Sequence, residues 1–422
     1  MVFFPLIPVW CIKIWFESFF ICVFPFSIAQ CPRGDLLRVL ITTEFYLPFQ
    51  CGVTTAVLNE IKALEALGDE VRVLTIGKNK HSYWDGENKC WYIRSNFPSL
   101  YKDSYASFAL NDRILDEVLQ WKPDVIHSQS EFFSFLFASK VSKKLNIPIV
   151  HTCHTDFVSY SIHFTRFVKV WNFFAQFVVP FLIRRASRVI CSSDKIYNLI
   201  KSYRIKKPID RIMIGLDLDK FNKEISSEER KSIREGFGLK DDDIAFVSIC
   251  RLSKEKSVDQ VLSLFSNLDI PSSKLIFIGG GEERENLERE VEALKLKDKV
   301  VFGGEVPGSE VWKYYKIGEI YIGASLSETQ CLSYVEAMAS GMPLLVKDDP
   351  VLKGYLINDR NGIIYNSLDD FVLKAEILSS SPELRQKLGS EAKKSVSRFS
   401  LSIFGEKLKK SFDIAKGGRK NG

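Results

Sequence analysis

The 422-residue chain lacks the short signatures that would assign it quickly. It has no Walker sequence and no spaced G-x-G-x-x-G, so ATP and dinucleotide chemistry gain little support. Its nine cysteines stand singly, with no C-x-x-C pair and an odd total, which argues against a disulfide framework and against a zinc site. That usage points to a reducing, cytosolic interior. Charge of one sign is also scarce: 58 Lys and Arg against 52 Asp and Glu leave +6, too little to argue for nucleic acid. Hydrophobic and charged fractions of 46% and 26% exclude global disorder, and the length predicts two or three domains.

What is present begins with an intensely apolar and aromatic extension over residues 1–36, interrupted by prolines, Lys13 and Glu17. It lacks the positive start of a signal peptide and is broken in mid-run as a spanning helix. An interfacial or transmembrane anchor, a poorly cleaved signal and an extension without a folded role all remain open. A second unusual stretch, residues 164–188, repeats Phe167, Val168, Trp171, Phe174, Phe177 and Val178 at helical spacing between arginines. It reads either as a helix lying in a bilayer interface or as a core helix facing a sheet. Arg184, Arg185, Arg188, Lys201, Arg204, Lys206 and Lys207 add a local basic surface that fits an anionic membrane or substrate.

The regular pattern starts at Leu37. LRVLITT is a β-branched run of the kind buried in a parallel sheet, followed by a turn with Pro48 and Gly52, a helix to about Leu67, and the strand EVRVLTIG. Strand, turn, helix and strand make a βαβ unit, so an α/β doubly wound parallel sheet is expected. PDVIHSQSE and IPIVHTCHTD are two further strands ending in polar clusters. Ligands bind outside the carboxyl ends of such strands, which gives His154, Thr155 and Asp156 weight as site residues. His127 and His151 lie inside their runs and read as satisfied core histidines. At Ile244 the pattern restarts, so two Rossmann-like domains should face each other across a cleft. The expected boundaries are an extension over 1–36, a first domain over 37–215, a second over 216–398, and a terminal helix and tail over 399–422.

Three features of the second half fall at strand ends. Arg251 is followed by Lys254 and Lys256; Gly279, Gly280 and Gly281 allow close approach of the backbone; Glu328 and Glu336 stand eight apart around the start of a helix. A guanidinium and an ammonium can neutralise charge on a leaving diphosphate, and carboxylates beside a helix N-terminus can hold sugar hydroxyls and anions. The plain alternative is an amphipathic helix capped by Ser327 that merely exposes its glutamates.

The residues R-L-S-K-E-K, G-G-G and S-E-T-Q with the second glutamate resemble the donor domain of glycosyltransferase family 4, a GT-B family. SETQ, HSQSEF and HTCHTD together resemble the bacterial diacylglycerol glucosyltransferases within it. The resemblance covers roughly residues 37–412. It implies a retaining hexosyltransferase that takes glucose or galactose from a UDP-sugar to a lipid at the cytoplasmic face of a membrane, without metal or other cofactor. A polysaccharide or lipopolysaccharide precursor as acceptor, and a non-catalytic nucleotide-sugar sensor, are the alternatives. The resemblance assigns Glu328 and the backbone of Thr329, Gln330, Cys331 and Leu332 to the donor hexose, and Glu336 to the ribose. It assigns Arg251 and Lys256 to the diphosphate, places Gly280 and Gly281 beside the donor, and sets His154 against the transferred sugar. Gly52 would lie by the donor phosphates or the acceptor. Ser257 and Cys331 stand where relatives commonly have glycine, and a thiol can replace glycine there if the backbone is not left-handed.

Overall fold

The computed structural model describes residues 36–101, 104–156 and 174–420. The extension and most of the aromatic segment 164–188 therefore lie outside the described residues. Residues 37–422 form one unit. The first half contributes β1 (Arg38–Thr42), β2 (Glu70–Gly77), β3 (Tyr83–Asp85), β4 (Cys90–Arg94), β5 (Phe97–Tyr101), β6 (Ser104–Ala106), β7 (Val125–Ser128), β8 (Ile149–Cys153), β9 (Arg188–Cys191) and β10 (Ile209–Arg211). All but β5 and β6, which pair with each other, join one sheet in the order β10-β9-β8-β7-β1-β2-β4-β3. Its pairings are parallel except for β3 against β4.

The second sheet is wholly parallel, in the order β13-β12-β11-β14-β15-β16. Its strands are β11 (Ile244–Ile249), β12 (Ser273–Ile278), β13 (Val300–Gly304), β14 (Ile320–Gly323), β15 (Leu344–Lys347) and β16 (Ile363–Tyr365). Continuous apolar runs become these strands because both faces are covered. Alternate residues serve opposite cores: Val39 and Ile41 pack on one side of β1 and Leu40 on the other, and Val247 and Phe246 divide in the same way on β11.

Each sheet reverses its winding once. In the first, the chain runs from β1 outward through β2 and returns on the other side of β1 as β7; in the second, β14 returns beside β11. These switch points open a crevice at the carboxyl ends of the strands. The chain crosses back at the end, where the Leu401–Lys420 helix packs Phe404, Leu408 and Phe412 into the core of the first sheet. Leu216 N–H donates to Phe399 O at 2.7 Å, and Lys409 pairs with Asp69 at 2.5 Å. Among the described residues no helix is long and apolar enough to cross a membrane.

Candidate functional site

A cleft of about 1190 Å³ opens beside the carboxyl ends of β1, β2, β11 and β12, and its walls differ in chemistry; of the predicted site residues Arg251, Gly280 and Gly281 line it, while His154, Lys256, Glu328, Glu336 and Gly52 do not. The second-half wall carries Cys250 and Arg251 after β11, the Gly279–Gly281 turn after β12, and Glu282 and Glu305. Gly279 and Gly281 adopt φ of 133° and 153°, and a Cβ on either would strike the carbonyl of Cys250 or Leu252. Glycine is thus required where this turn lies flat against the Arg251 turn, with Leu252 N–H donating to Gly280 O at 2.8 Å. Arg251 is held by Glu255 at 2.5 Å.

Glu328 and Lys256 meet directly: Nζ lies 2.6 Å from Oε1. Burial opposes the Lys256 charge, yet the Glu328 carboxylate outweighs it and lifts the ammonium above its ordinary pKa. The site therefore holds the Lys256 ammonium against the Glu328 carboxyl group. Glu336 accepts from Tyr315 Oη at 2.7 Å; burial raises its pKa, against the pull of Tyr315 and Lys220.

The helix between the glutamates corrects two expectations. It spans Leu332–Ala339 with Cys331 as its N-cap, so Ser327 does not cap it and Glu328 belongs to the turn before it. Cys331 is left-handed, at φ 48°, so the condition under which a thiol replaces glycine without strain is not met. Ser257, before the Val258–Ser266 helix, is left-handed as well, at φ 52°. The turn is held from the first half of the chain. Ser192 Oγ donates to Thr329 O at 3.1 Å and Lys195 Nζ to Leu326 O at 2.6 Å. Gln330 clasps the backbone of Ile214, accepting from its N–H at 2.6 Å and donating to its carbonyl at 2.9 Å. The Gln330 side chain thus faces the first half, and with the carbonyls of Thr329 and Gln330 already accepting from Ser192 and Tyr355, this turn has N–H groups and not carbonyls to offer a ligand.

Behind the opposite wall, His127 and His151 are buried in their strands, but only His127 is satisfied as its sequence setting suggests, bonding Glu60 and Thr152; His151 bonds Glu131 through Nε2 and leaves Nδ1 without a partner, because its strand position faces an otherwise apolar core. Glu131, His151 and Cys153 bring ligand-type atoms within 4.8 Å of one another. With His151 already bonded to Glu131 and the thiol held protonated by burial, the trio is organised as a polar core. His154 is half-buried past β8 and bonds Gln129. Burial first, then the His127 and His151 rings, depresses its pKa to about 3. Gly52 is exposed at the first turn of the Gly52–Ala66 helix, while its neighbours Phe49 and Gln50 line the cleft.

Sequence reading missed the aromatic lining of this first-half wall: Tyr46, Phe49, Tyr83, Tyr92 and Tyr105. Tyr83 and Tyr92 are cross-strand partners stacked at 4.8 Å and 9°, and Tyr92 Oη is fixed to Leu47 O at 2.9 Å. On the reverse face Trp84 packs on Trp91, and the Arg72 guanidinium lies over both rings, which anchors β3. The alternation YWD opposite CWYIR carried the signal, but a three-residue strand is too short to stand out.

Comparison with known proteins fits this geometry. Residues 51–220 match the family described as Glycosyltransferase Family 4, and residues 229–395 that described as Glycosyl transferases group 1. An alpha-monoglucosyldiacylglycerol synthase of Streptococcus pneumoniae is 29% identical over 364 residues, 84% of this chain and 81% of that protein. One from Acholeplasma laidlawii is 29% identical over 381 residues, 87% of this chain and 94% of its own length. The crystal structure of Anabaena Alr3699/HepE in complex with UDP-glucose superposes with a TM-score of 0.71 at 16% identity, covering 90% of this chain and all of that one. Two facing parallel sheets, matched half by half in this way, make the chain a glycosyltransferase of the GT-B fold, with a family 4 domain followed by a group 1 domain.

Proposed function

We propose that the chain transfers a hexose, glucose or galactose, from a UDP-sugar to a membrane lipid such as diacylglycerol, with retention of anomeric configuration. The observation that carries this is the two-walled cleft. Its second-half wall offers Arg251 and the Gly279–Gly281 backbone to a diphosphate, and its first-half wall carries an aromatic cluster around Tyr83 beside the polar Glu44, Lys78 and Asn79. At about 1190 Å³ it exceeds the roughly 300–1,000 Å³ of a single small-molecule pocket, which leaves room for a second substrate. The names of the two synthases agree with a lipid acceptor and a glucosyl donor.

In this reading the diphosphate lies along the Gly279–Gly281 turn, and Arg251 and Lys256 neutralise the charge that grows on it as the sugar leaves. Two fixed cations supply that stabilisation, so no metal is invoked. Glu328 and the amides from Thr329 to Leu332 hold the hexose, Glu336 and Tyr315 the ribose, and His154 faces the transferred sugar. The acceptor's glycerol and proximal acyl carbons lie on the aromatic wall. The protein works at the cytoplasmic face of an anionic membrane, peripheral or N-terminally anchored. Exposed Phe177 and Phe181, with Arg185 over the Phe181 ring, offer an apolar and cationic face for that surface.

The test is transfer of label from UDP-glucose or UDP-galactose to diacylglycerol in anionic vesicles, with and without EDTA. Labelled glycolipid is expected, unaffected by the chelator; product on soluble sugars alone rejects the lipid acceptor. Glu328→Ala should abolish transfer in a folded protein. Tyr83→Ala, on an exposed edge strand, should lower kcat/KM for the lipid about tenfold, the worth of one aromatic face. The donor KM should stay unchanged.

A further inference from the structure

Behind the first-half wall, polar side chains from separate elements form one chain of hydrogen bonds. Glu60 comes from the Gly52–Ala66 helix, His127 from β7, Gln129 from the turn after it, and His154 from the turn after β8. Glu60, His127 and Gln129 are 1%, 1% and 3% exposed, so their polar atoms must be matched within the protein. A carboxylate only accepts. The two Glu60 oxygens face His127 Nδ1 at 2.6 Å and Gln129 Nε2 at 2.5 Å. Turned over, the Gln129 amide would set oxygen against carboxylate oxygen. Its nitrogen therefore faces Glu60, and its oxygen faces His154 Nε2. An amide oxygen requires a donor there, so Nε2 carries the ring proton. The approach of Gln129 Nε2 to His127 Nδ1 at 3.0 Å lies on the nitrogen side of the amide and leaves this unchanged.

A cavity of about 10 Å³ lies among these groups, closed by Ile190, Ile212 and Phe404 of the returning helix. It has room for about one water, so no substrate reaches Glu60 or Gln129 through it. The geometry points to a positioning role for these two residues: they hold His154 as the Nε2–H tautomer, with a bare Nδ1 as the ring's site for a substrate hydroxyl. The inference rests on the proposed placement of His154 against the transferred sugar. It makes His154 a hydrogen-bond acceptor and not a proton donor, in keeping with a ring that burial holds neutral near pH 7.

Two measurements test it on the full chain. The first needs no turnover: ring ¹⁵N shifts of histidine-labelled protein at pH 7, with His154→Gln for assignment, should show His154 neutral, protonated on Nε2 and bare on Nδ1. A proton on Nδ1, or a charged ring, overturns the proposal whether or not the protein transfers sugar to lipid. The second uses the polarity of the chain. Glu60→Gln sets an amide where two donors converge, and Gln129→Glu sets two carboxylates face to face. Each should lower kcat by about 10- to 100-fold, the effect of one buried unmatched group, with donor KM held within about twofold. The double exchange Glu60→Gln with Gln129→Glu restores every direction: His127 donates to the new amide at position 60, that amide donates to the new carboxylate at position 129, and His154 donates to the same carboxylate. Assayed at pH 8, it should recover at least about tenfold over either single variant. If it recovers nothing, or if kcat merely follows the thermal midpoint in all three, the residues are structural and the proposal fails. If the wild type transfers nothing to lipid, the proposed function falls while the ¹⁵N result still decides the tautomer.

Discussion

At the scale of single residues, environment and not identity decides what a histidine does here. Five histidines occur in the chain, and the sequence separates His127 and His151 from His154 by their places in and after strands. It does not show that Glu60, 67 residues before His127, supplies the carboxylate that orders His127, Gln129 and His154. The pH response follows from the same burial. His154 titrates near 6.5 when unfolded and at about 3 when folded, so between those values the unfolded chain binds the extra proton. Its contribution to stability is therefore complete above pH 6.5 and falls as pH drops towards 3, by at most about 1.4 kcal/mol per pH unit. Glu336 acts in the opposite sense, because burial raises its folded pKa and acid then favours the folded state. The difference between wild type and His154→Gln isolates the first effect. Urea unfolding at pH 7.5, 6 and 5 should show the wild type losing stability faster than the variant, and parallel losses would reject the assignment.

At the scale of elements, the strands of both sheets were legible because burial on both faces writes them as apolar runs. The helix at the site was harder to read. Glu328 and Glu336 suggested a helix opening at Ser327, but four residues of turn intervene before Leu332. That turn is set by Ser192, Lys195 and Ile214, more than a hundred positions away, and no local pattern records them. Both helices at the donor wall begin after a left-handed residue that is not glycine, at a cost of roughly 1–2 kcal/mol each. Glycine would remove the strain but lose about 0.5–1 kcal/mol of backbone entropy. Ser257→Gly should therefore stabilise by up to about 1 kcal/mol. Cys331 also buries its thiol, worth about 1 kcal/mol, so Cys331→Gly should be close to neutral. Cys331→Val, β-branched at φ 48°, should lose about 2 kcal/mol or more. Thermal midpoints in the order Ser257→Gly, wild type, Cys331→Val check this, and a rise for valine would contradict the left-handed turn.

At the scale of the molecule, the donor turn belongs to both halves. It leaves the second sheet after β14, yet Gln330, Lys195 and Ser192 tie it to the first half, and the Leu401–Lys420 helix ties the chain's end to the first sheet. Binding a donor and holding the halves together should therefore be one thermodynamic event. Gln330→Ala leaves the N–H and the carbonyl of buried Ile214 without partners, at about 1–3 kcal/mol for each group. The loss falls on the junction and spares both cores, so the halves should begin to melt separately. Scanning calorimetry should show one transition for the wild type, moved upward by UDP through its affinity for the folded state. For Gln330→Ala it should show two, with UDP moving mainly the later one, because the wall of Arg251 and the Gly279–Gly281 turn survives with the second sheet. A single, unshifted transition in the variant would mean that the two halves are joined by their cores and not through the donor turn.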